Sequence, residues 1–209
     1  MDTTKWVKTA LSKKSTYLLD YTTTLYRDKN TLIGLGASRL HALMDLPAVV
    51  EPYYDDSSID KDKPFPAYRK LIDDGIEYRY HGDIKLDKIV IAKISALCKL
   101  VDKVRFELKN GELTILGTND LVDGREWDSA GWVHVRFIAG CDSVSFDSGA
   151  TPWFNPSFIA DALCADNPKH SIYWGISTAK GTNLLKLDES SSKRVAVIMP
   201  LRATTDSFN

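Results

Sequence analysis

At 209 residues, with 44% hydrophobic and 26% charged residues, the chain has the length and balance of one large globular domain or two small ones. No apolar run approaches the roughly 18 residues of a membrane span. Met1-Asp2-Thr3-Thr4 has neither the basic start nor the apolar stretch of a signal peptide, so a cytoplasmic protein without a membrane partner is expected. A net charge of −1 excludes a chain that is basic throughout, while leaving room for a basic stripe balanced by acids elsewhere.

In chain order, Trp6, Val7, Ala10 and Leu11 recur at helical spacing and predict an amphipathic helix over 4–14, with Asp2 or Thr3 as its cap. Residues 17–25 and 31–46 are rich in β-branched and aromatic residues and meet at the polar Asp28-Lys29-Asn30, which predicts a hairpin. From Pro47 to Pro64 prolines and charges replace any period, so 48–64 reads as a linker. Residues 86–103 predict the strongest helix, with Val90, Ile94, Leu97 and Val101 on one side and Lys88, Ser95, Lys99 and Lys103 on the other. Alternation over 104–116 with Lys109-Asn110-Gly111 in its middle predicts a second hairpin. Strands are expected at 132–138 and 143–146, a helix at 156–165, and strands at 171–176, 184–187 and 195–202. The order is that of an α+β fold in which helices cover one face of largely antiparallel sheets.

Cys98, Cys141 and Cys164 are odd in number and far apart, without metal-ligand spacing; Cys98 and Cys164 read as small buried hydrophobes in a reducing compartment. His41, His81, His134 and His170 are scattered, and no GxGxxG, P-loop or GxSxG occurs. Asp55-Asp56 and Asp60-x-Asp62 carry the charge to hold a divalent ion but sit in the Pro-rich stretch, where solvated charge explains them. No enzyme, metal or cofactor is expected.

Four segments carry a resemblance. They are Leu32-Ile33-Gly34-Leu35-Gly36-Ala37-Ser38-Arg39-Leu40, then Phe65-Pro66-Ala67-Tyr68-Arg69-Lys70, then the 109–120 hairpin ending Gly117-Thr118-Asn119-Asp120, and last the helix from Phe154-Asn155-Pro156 followed by Val195-Ala196-Val197-Ile198-Met199-Pro200-Leu201-Arg202. In this order, over about two thirds of the chain, they resemble the bacterial β sliding clamps, rings that tether polymerases to DNA. The resemblance implies the DNA-clamp fold, shortened: a partial clamp-like domain at 1–47, the linker at 48–64, a complete C-terminal domain at 65–204 and a tail at 205–209. Such a shortened form suits a phage or mobile element. Where the family has Asp-Gly-His-Arg-Leu, this chain has Ala37, Ser38, Arg39 and Leu40, without the bare backbone or the imidazole.

The resemblance also implies a groove for short peptides of polymerases and clamp loaders. Its equivalents here are Leu35, Ala37, Ser38, Arg39 and Leu40 on one wall, Pro66, Arg69 and Lys70 at the joint, and Asn155, Phe158, Val197, Met199, Pro200, Leu201 and Arg202 completing it. Met, Leu and Pro make adaptable apolar walls, and Arg and Asn fix an extended backbone. On periodicity alone Phe158, Met199 and Leu201 read equally as core. Likewise Lys88, Lys99 and Lys103, with Lys5, Lys8 and Lys13, read either as solvated faces or, as the resemblance implies, as sequence-independent contacts to DNA phosphates. A homo-oligomer is expected, about four chains to a closed ring if three helix-plus-strand units per chain are all used, because half a domain exposes sheet edges and an apolar face. The rival is a clamp-derived adaptor or decoy that binds such peptides without encircling DNA.

Overall fold

The computed structural model of the chain describes residues 3–12, 20–57, 59, 65–72, 78–85, 88–109, 112–118, 133–137, 149–150, 152–163, 169–176, 184–189 and 192–201. Trp6, Val7 and Ala10 fall on one side of helix α1 (Thr3–Lys8) and its closing turn and are buried there. Strands β1 (Leu25–Asp28), β2 (Thr31–Leu35) and β3 (Arg39–Leu43) follow. The β1–β2 turn places Lys29 at φ 51°, a left-handed conformation that a tight polar turn demands. Next come β4 (Tyr53–Tyr54), the short α2 (Arg69–Ile72), β5 (Tyr78–Lys85), α3 (Lys88–Leu97), β6 (Lys103–Lys109), β7 (Glu112–Thr118), β8 (Val133–Phe137) and β9 (Gly149–Ala150). The chain ends its described course in α4 (Pro156–Ala162), β10 (Lys169–Ile176), β11 (Leu185–Glu189) and β12 (Arg194–Ile198). A helix followed by three antiparallel strands thus occurs three times, beginning at α1, α3 and α4.

Eight strands form one antiparallel sheet in the order β4-β1-β2-β3-β12-β11-β10-β5, and four form a second in the order β8-β7-β6-β9. The strand before each of the two later helices pairs with the first strand of the other unit: β5 with β10, and β9 with β6. Strand β4, by contrast, folds back onto β1, the first strand of its own unit. The large sheet is continuous across the expected linker because β12 pairs with β3, Val197 opposite Leu40 and Ile198 opposite Arg39.

Alternation along those two strands separates two cores. Ala196, Ile198 and Leu43 join Trp6 and Val7 of α1, Ile91, Ile94 and Leu97 of α3, Phe106 and Ile115 of the second sheet, and Ile159 of α4. Val195, Val197, Leu40 and Ala42 point the other way, onto Tyr68 and Ile72 of the α2 segment. Helix α1 approaches β2 so closely that a Cβ on Gly34 would lie 2.3 Å from the Val7 carbonyl oxygen, and one on Gly36 2.2 Å from that of Ala10. Only glycine fits at either position.

Several elements differ from the sequence-based expectation. The 31–46 segment is two strands, not one, because the Gly36 amide donates to the Arg39 carbonyl (2.8 Å) and Ser12 Oγ accepts from the Ala37 amide (3.2 Å), turning the chain at 36–38. Its partner begins only at Leu25, after a 3-10 turn at Asp20–Thr22. The 48–64 linker contains β4, since Tyr54 packs on Tyr26 with ring centroids 5.0 Å apart. Helix α1 stops at Lys8 and α3 at Leu97. Lys99 lies in the turn beyond α3, and Lys103 opens β6, because Val104 exchanges two backbone hydrogen bonds with Phe154 (3.0 and 2.7 Å) that draw the chain out of the helix. The 104–116 hairpin is found as β6 and β7, which pair from Lys103–Thr118 to Lys109–Glu112. The strand expected at 143–146, Lys13, Cys141, Cys164 and Arg202 lie outside the described residues.

The expected open apolar face of the half domain is also absent among the described residues. Their exposed large hydrophobics in the first unit are Val50 and Tyr53, and α1 presents Lys5 and Lys8 outward instead.

Candidate functional site: a groove at the end of the central strands, and exposed lysines

The groove residues expected from sequence gather where β3 and β12 end together. Pairing continues one residue beyond β12, the Met199 amide donating to the Ser38 carbonyl (2.9 Å), and the Leu201 amide donates to the Trp153 carbonyl (2.8 Å). Met199, Pro200 and Leu201 therefore leave the sheet as an extended segment held at both ends. Met199 is 43% exposed, and Pro200 and Leu201 are half-buried, so this apolar run is open to solvent. Ala37 is exposed and Ser38 half-buried beside it.

The alternation of the sheet sends the remaining residues to two sides. On the α4 side, Asn155 caps α4 by accepting from the Ser157 amide (2.9 Å), which the Asn-Pro start of the helix makes possible. Phe158 follows one turn later. The Arg39 guanidinium lies over its ring at 4.3 Å from the centroid, binds Asp161 Oδ2 at 2.5 Å, and donates from Nε to the Ala10 carbonyl at 3.4 Å. Arg39 thus ties α1, β3 and α4 together.

On the α2 side, Leu40 and Val197 are buried beneath Tyr68 and Ile72, while Leu35 and Phe65 pack against the edge of that cluster. Phe65 stacks on Tyr26, centroids 4.2 Å apart. The Tyr68 hydroxyl donates to Asp28, and Arg69 Nη2 lies 3.3 Å from the same carboxylate, so the β1–β2 turn anchors α2. Burial and the bond to Asp28 push the Tyr68 phenol well above its usual range. At the other end of α2, the buried Lys186 donates from Nζ to the Ile72 carbonyl (3.0 Å), an arrangement suited to the carbonyl end of a helix. Pro66 is half-buried and Lys70 exposed. Trp153, Asp161, Tyr68, Asp28 and Lys186 all shape this region and were not assigned to the groove from sequence, although Tyr68 stands in the Phe65–Lys70 segment and Asp28 in the expected turn. Asp161 also carried a readable signal, since it stands three residues after Phe158 and so on the same helix face.

A second polar cluster lies beneath α1. His41 is fully buried, stacked on Trp6 with centroids 4.5 Å apart and planes 12° apart. Its Nδ1 lies 3.2 Å from the Trp6 carbonyl and 3.1 Å from Thr9 Oγ1. Burial pushes the imidazole down to about 4; the Trp6 carbonyl opposes the shift and Arg39 adds to it. The Arg194 guanidinium sits 5.6 Å from the Trp6 ring and 3.6 Å from Glu189 Oε2, both side chains buried. These groups fix α1 to the sheet.

The expected lysine row is not a row. Lys5 and Lys8 are exposed on α1, and Lys99 is exposed past the end of α3. Lys103 is half-buried in β6, and the Lys88 side chain is outside the described residues. The outward face of α3 instead carries Ile89, Ala92, Lys93 and Ala96, so Lys93 was missed between two buried isoleucines.

Cys98 is buried, and burial pushes its thiol up to about 12, as expected of a small core residue without reactivity. A cleft of about 480 Å³ is lined by Lys8 and Leu11, by Thr23, Thr24 and Leu25, and by Asp55, Asp56 and Ser57. Among the described residues, no three His, Cys, Asp or Glu side chains gather to hold a metal, and no helix is long and apolar enough to cross a membrane.

No protein-family model and no curated protein sequence matches the chain. Solved structures do. A putative DNA polymerase III beta subunit from Eubacterium rectale superposes with a TM-score of 0.68 at 10% identity, over 94% of this chain and 61% of that one. The DNA polymerase sliding clamp of Pseudomonas aeruginosa gives 0.65 at 14% identity, over 95% and 63%. The Helicobacter pylori beta clamp bound to a DNA ligase peptide gives 0.65 at 12% identity, over 95% and 62%. The chain therefore spans about three fifths of the length of the structures it matches. Its antiparallel sheets, with helices packed between them, have the fold of the bacterial sliding clamps.

Proposed function

We propose that the chain works as a sliding clamp: it holds partner peptides of a replicative polymerase and clamp loader in the groove at the end of β3 and β12, and tethers them to duplex DNA without reading its sequence. The observation that carries this reading is the Met199-Pro200-Leu201 segment, apolar, extended and open, held between Ser38 and Trp153 with α4 on one side and α2 on the other. Such a segment offers adaptable apolar contacts to an extended peptide. The peptide seen on the Helicobacter clamp of the same fold supports the assignment. Binding, not catalysis, is the activity.

On this reading 1–47 is a partial clamp domain, 48–64 the connection, 65–204 a complete domain and 205–209 a tail. DNA phosphates are met by the exposed Lys5, Lys8, Lys93 and Lys99, and Lys13, Lys88 and Lys103 belong to the same set by the sequence resemblance. The outer edges of β4 and β5 end the large sheet and are the places where further copies would add.

The test is fluorescence anisotropy with a labelled Gln-x-x-Leu-Phe peptide. Saturable binding with Kd in the micromolar range is expected, and absence of binding up to millimolar protein would overturn the reading.

A further inference from the structure

Arg39 and Arg69 of the groove are each paired with a carboxylate of the chain itself, and the two pairs face solvent in opposite senses. At the α4 end, Arg39 is 14% exposed and its partner Asp161 39%. At the α2 end the order is reversed: Arg69 is 40% exposed and its partner Asp28 15%. Arg39 is further covered by the Phe158 ring and spends its Nε on the Ala10 carbonyl, so of this pair it is the carboxylate that faces a ligand, while the Arg105 guanidinium nearby lies over the Trp153 ring at 4.9 Å. The α2 end shows a guanidinium, with the exposed Lys70 ammonium next to it in the helix.

We infer that the groove is electrically polarised along its length, negative at α4 and positive at α2, and that this polarity selects peptides carrying an acidic residue on one flank of the apolar anchor and rejects those carrying it on the other. The inference rests on the peptide-binding reading above and names its ligand class: a short apolar peptide with asymmetric flanking charge, bound in one direction. The physical basis is that apolar walls accept a Leu-Phe anchor in either direction, whereas a carboxylate brought beside Asp161 is repelled and one brought beside Arg69 is attracted. Both sites are partly exposed, so the effect is modest, about tenfold in Kd between the two charge placements, and it weakens as salt shortens the Debye length.

The test uses the full chain and three labelled peptides sharing one Gln-x-x-Leu-Phe anchor: a neutral parent, one with two aspartates before the anchor, and one with two after it. The expected result is that one acidic peptide binds more tightly than the parent and the other more weakly. Asp161→Asn should restore the weak one, Arg69→Gln should reduce the tight one, and 0.5 M salt should compress all three together; a variant that only damaged the fold would weaken all three. Thermal unfolding checks that the variants fold, and the salt series on the unaltered chain stands without them. Equal affinity of the two acidic peptides, or a difference that survives high salt and both substitutions, overturns the inference while leaving peptide binding intact. If the neutral parent itself fails to bind, the peptide-binding reading falls and takes this inference with it.

Discussion

Replacing His41 tests how α1 is joined to the large sheet. The imidazole is buried against Trp6 and titrates at about 4 when folded, against 6.5 when free. In the unfolded chain it takes up a proton as pH falls through 6.5, and in the folded chain only near 4. The unfolded state therefore binds more protons throughout that window, and stability falls with falling pH. The contribution is complete above about pH 7, declines between 6.5 and 4, and is constant below. About two and a half units at 1.36 kcal/mol each make the loss about 3 kcal/mol. Urea unfolding of the wild-type chain from pH 8 to 4 should show this slope on top of the carboxylate contributions. His41→Phe, which keeps a ring against Trp6 and removes the titrating group, should show a curve shallower by about 3 kcal/mol over the same range. Parallel curves would refute the burial of His41 and with it the seating of α1.

Gly34→Ala should destabilise the fold by about 1 to 3 kcal/mol in the same unfolding assay, because its Cβ meets the Val7 carbonyl oxygen at 2.3 Å; an unchanged midpoint would mean that α1 does not lie on β2. Replacing Lys93 and Lys99 by Glu should reduce retention on circular duplex DNA at low salt and leave thermal unfolding unchanged, since both are exposed; unchanged retention would make them solvated surface. Truncating Met199 and Leu201 to Ala should weaken peptide binding by about 1 to 3 kcal/mol, which anisotropy reads as a loss of roughly tenfold or more.

Elements with a strong local period were legible in the sequence. The β6–β7 hairpin is the clearest case, since alternation from Val104 and the Asn110-Gly111 pair fix both strands and register without tertiary help. The α4 start was legible through Asn155-Pro156. Strand β5 was overlooked although Tyr78, Tyr80 and Ile84 alternate with Arg79, His81, Asp83 and Lys85; Gly82 breaks the apolar side, and pairing along β10 fixes the strand. Helix α2 is too short to show a period and is held by Asp28 and Lys186 from distant strands. The end of α3 was overrun for a related reason: Val101 and Val104 keep a helical spacing, yet Val104 bonds to Phe154. In the groove, the apolar residues could be placed by resemblance, whereas the carboxylates that neutralise Arg39 and Arg69 lie 122 and 41 residues away from them and are joined only by the fold.

The groove itself is tested most directly by methyl NMR. With the Met, Leu, Ile and Val methyls labelled, addition of the neutral Gln-x-x-Leu-Phe peptide should shift Met199 and Leu201 most, and Leu40 and Val197 beneath them less. Ile91, Ile94 and Ile115, buried in the other core, should not move. Shifts centred on another surface, or none at saturating peptide, would contradict a peptide groove at the end of β3 and β12.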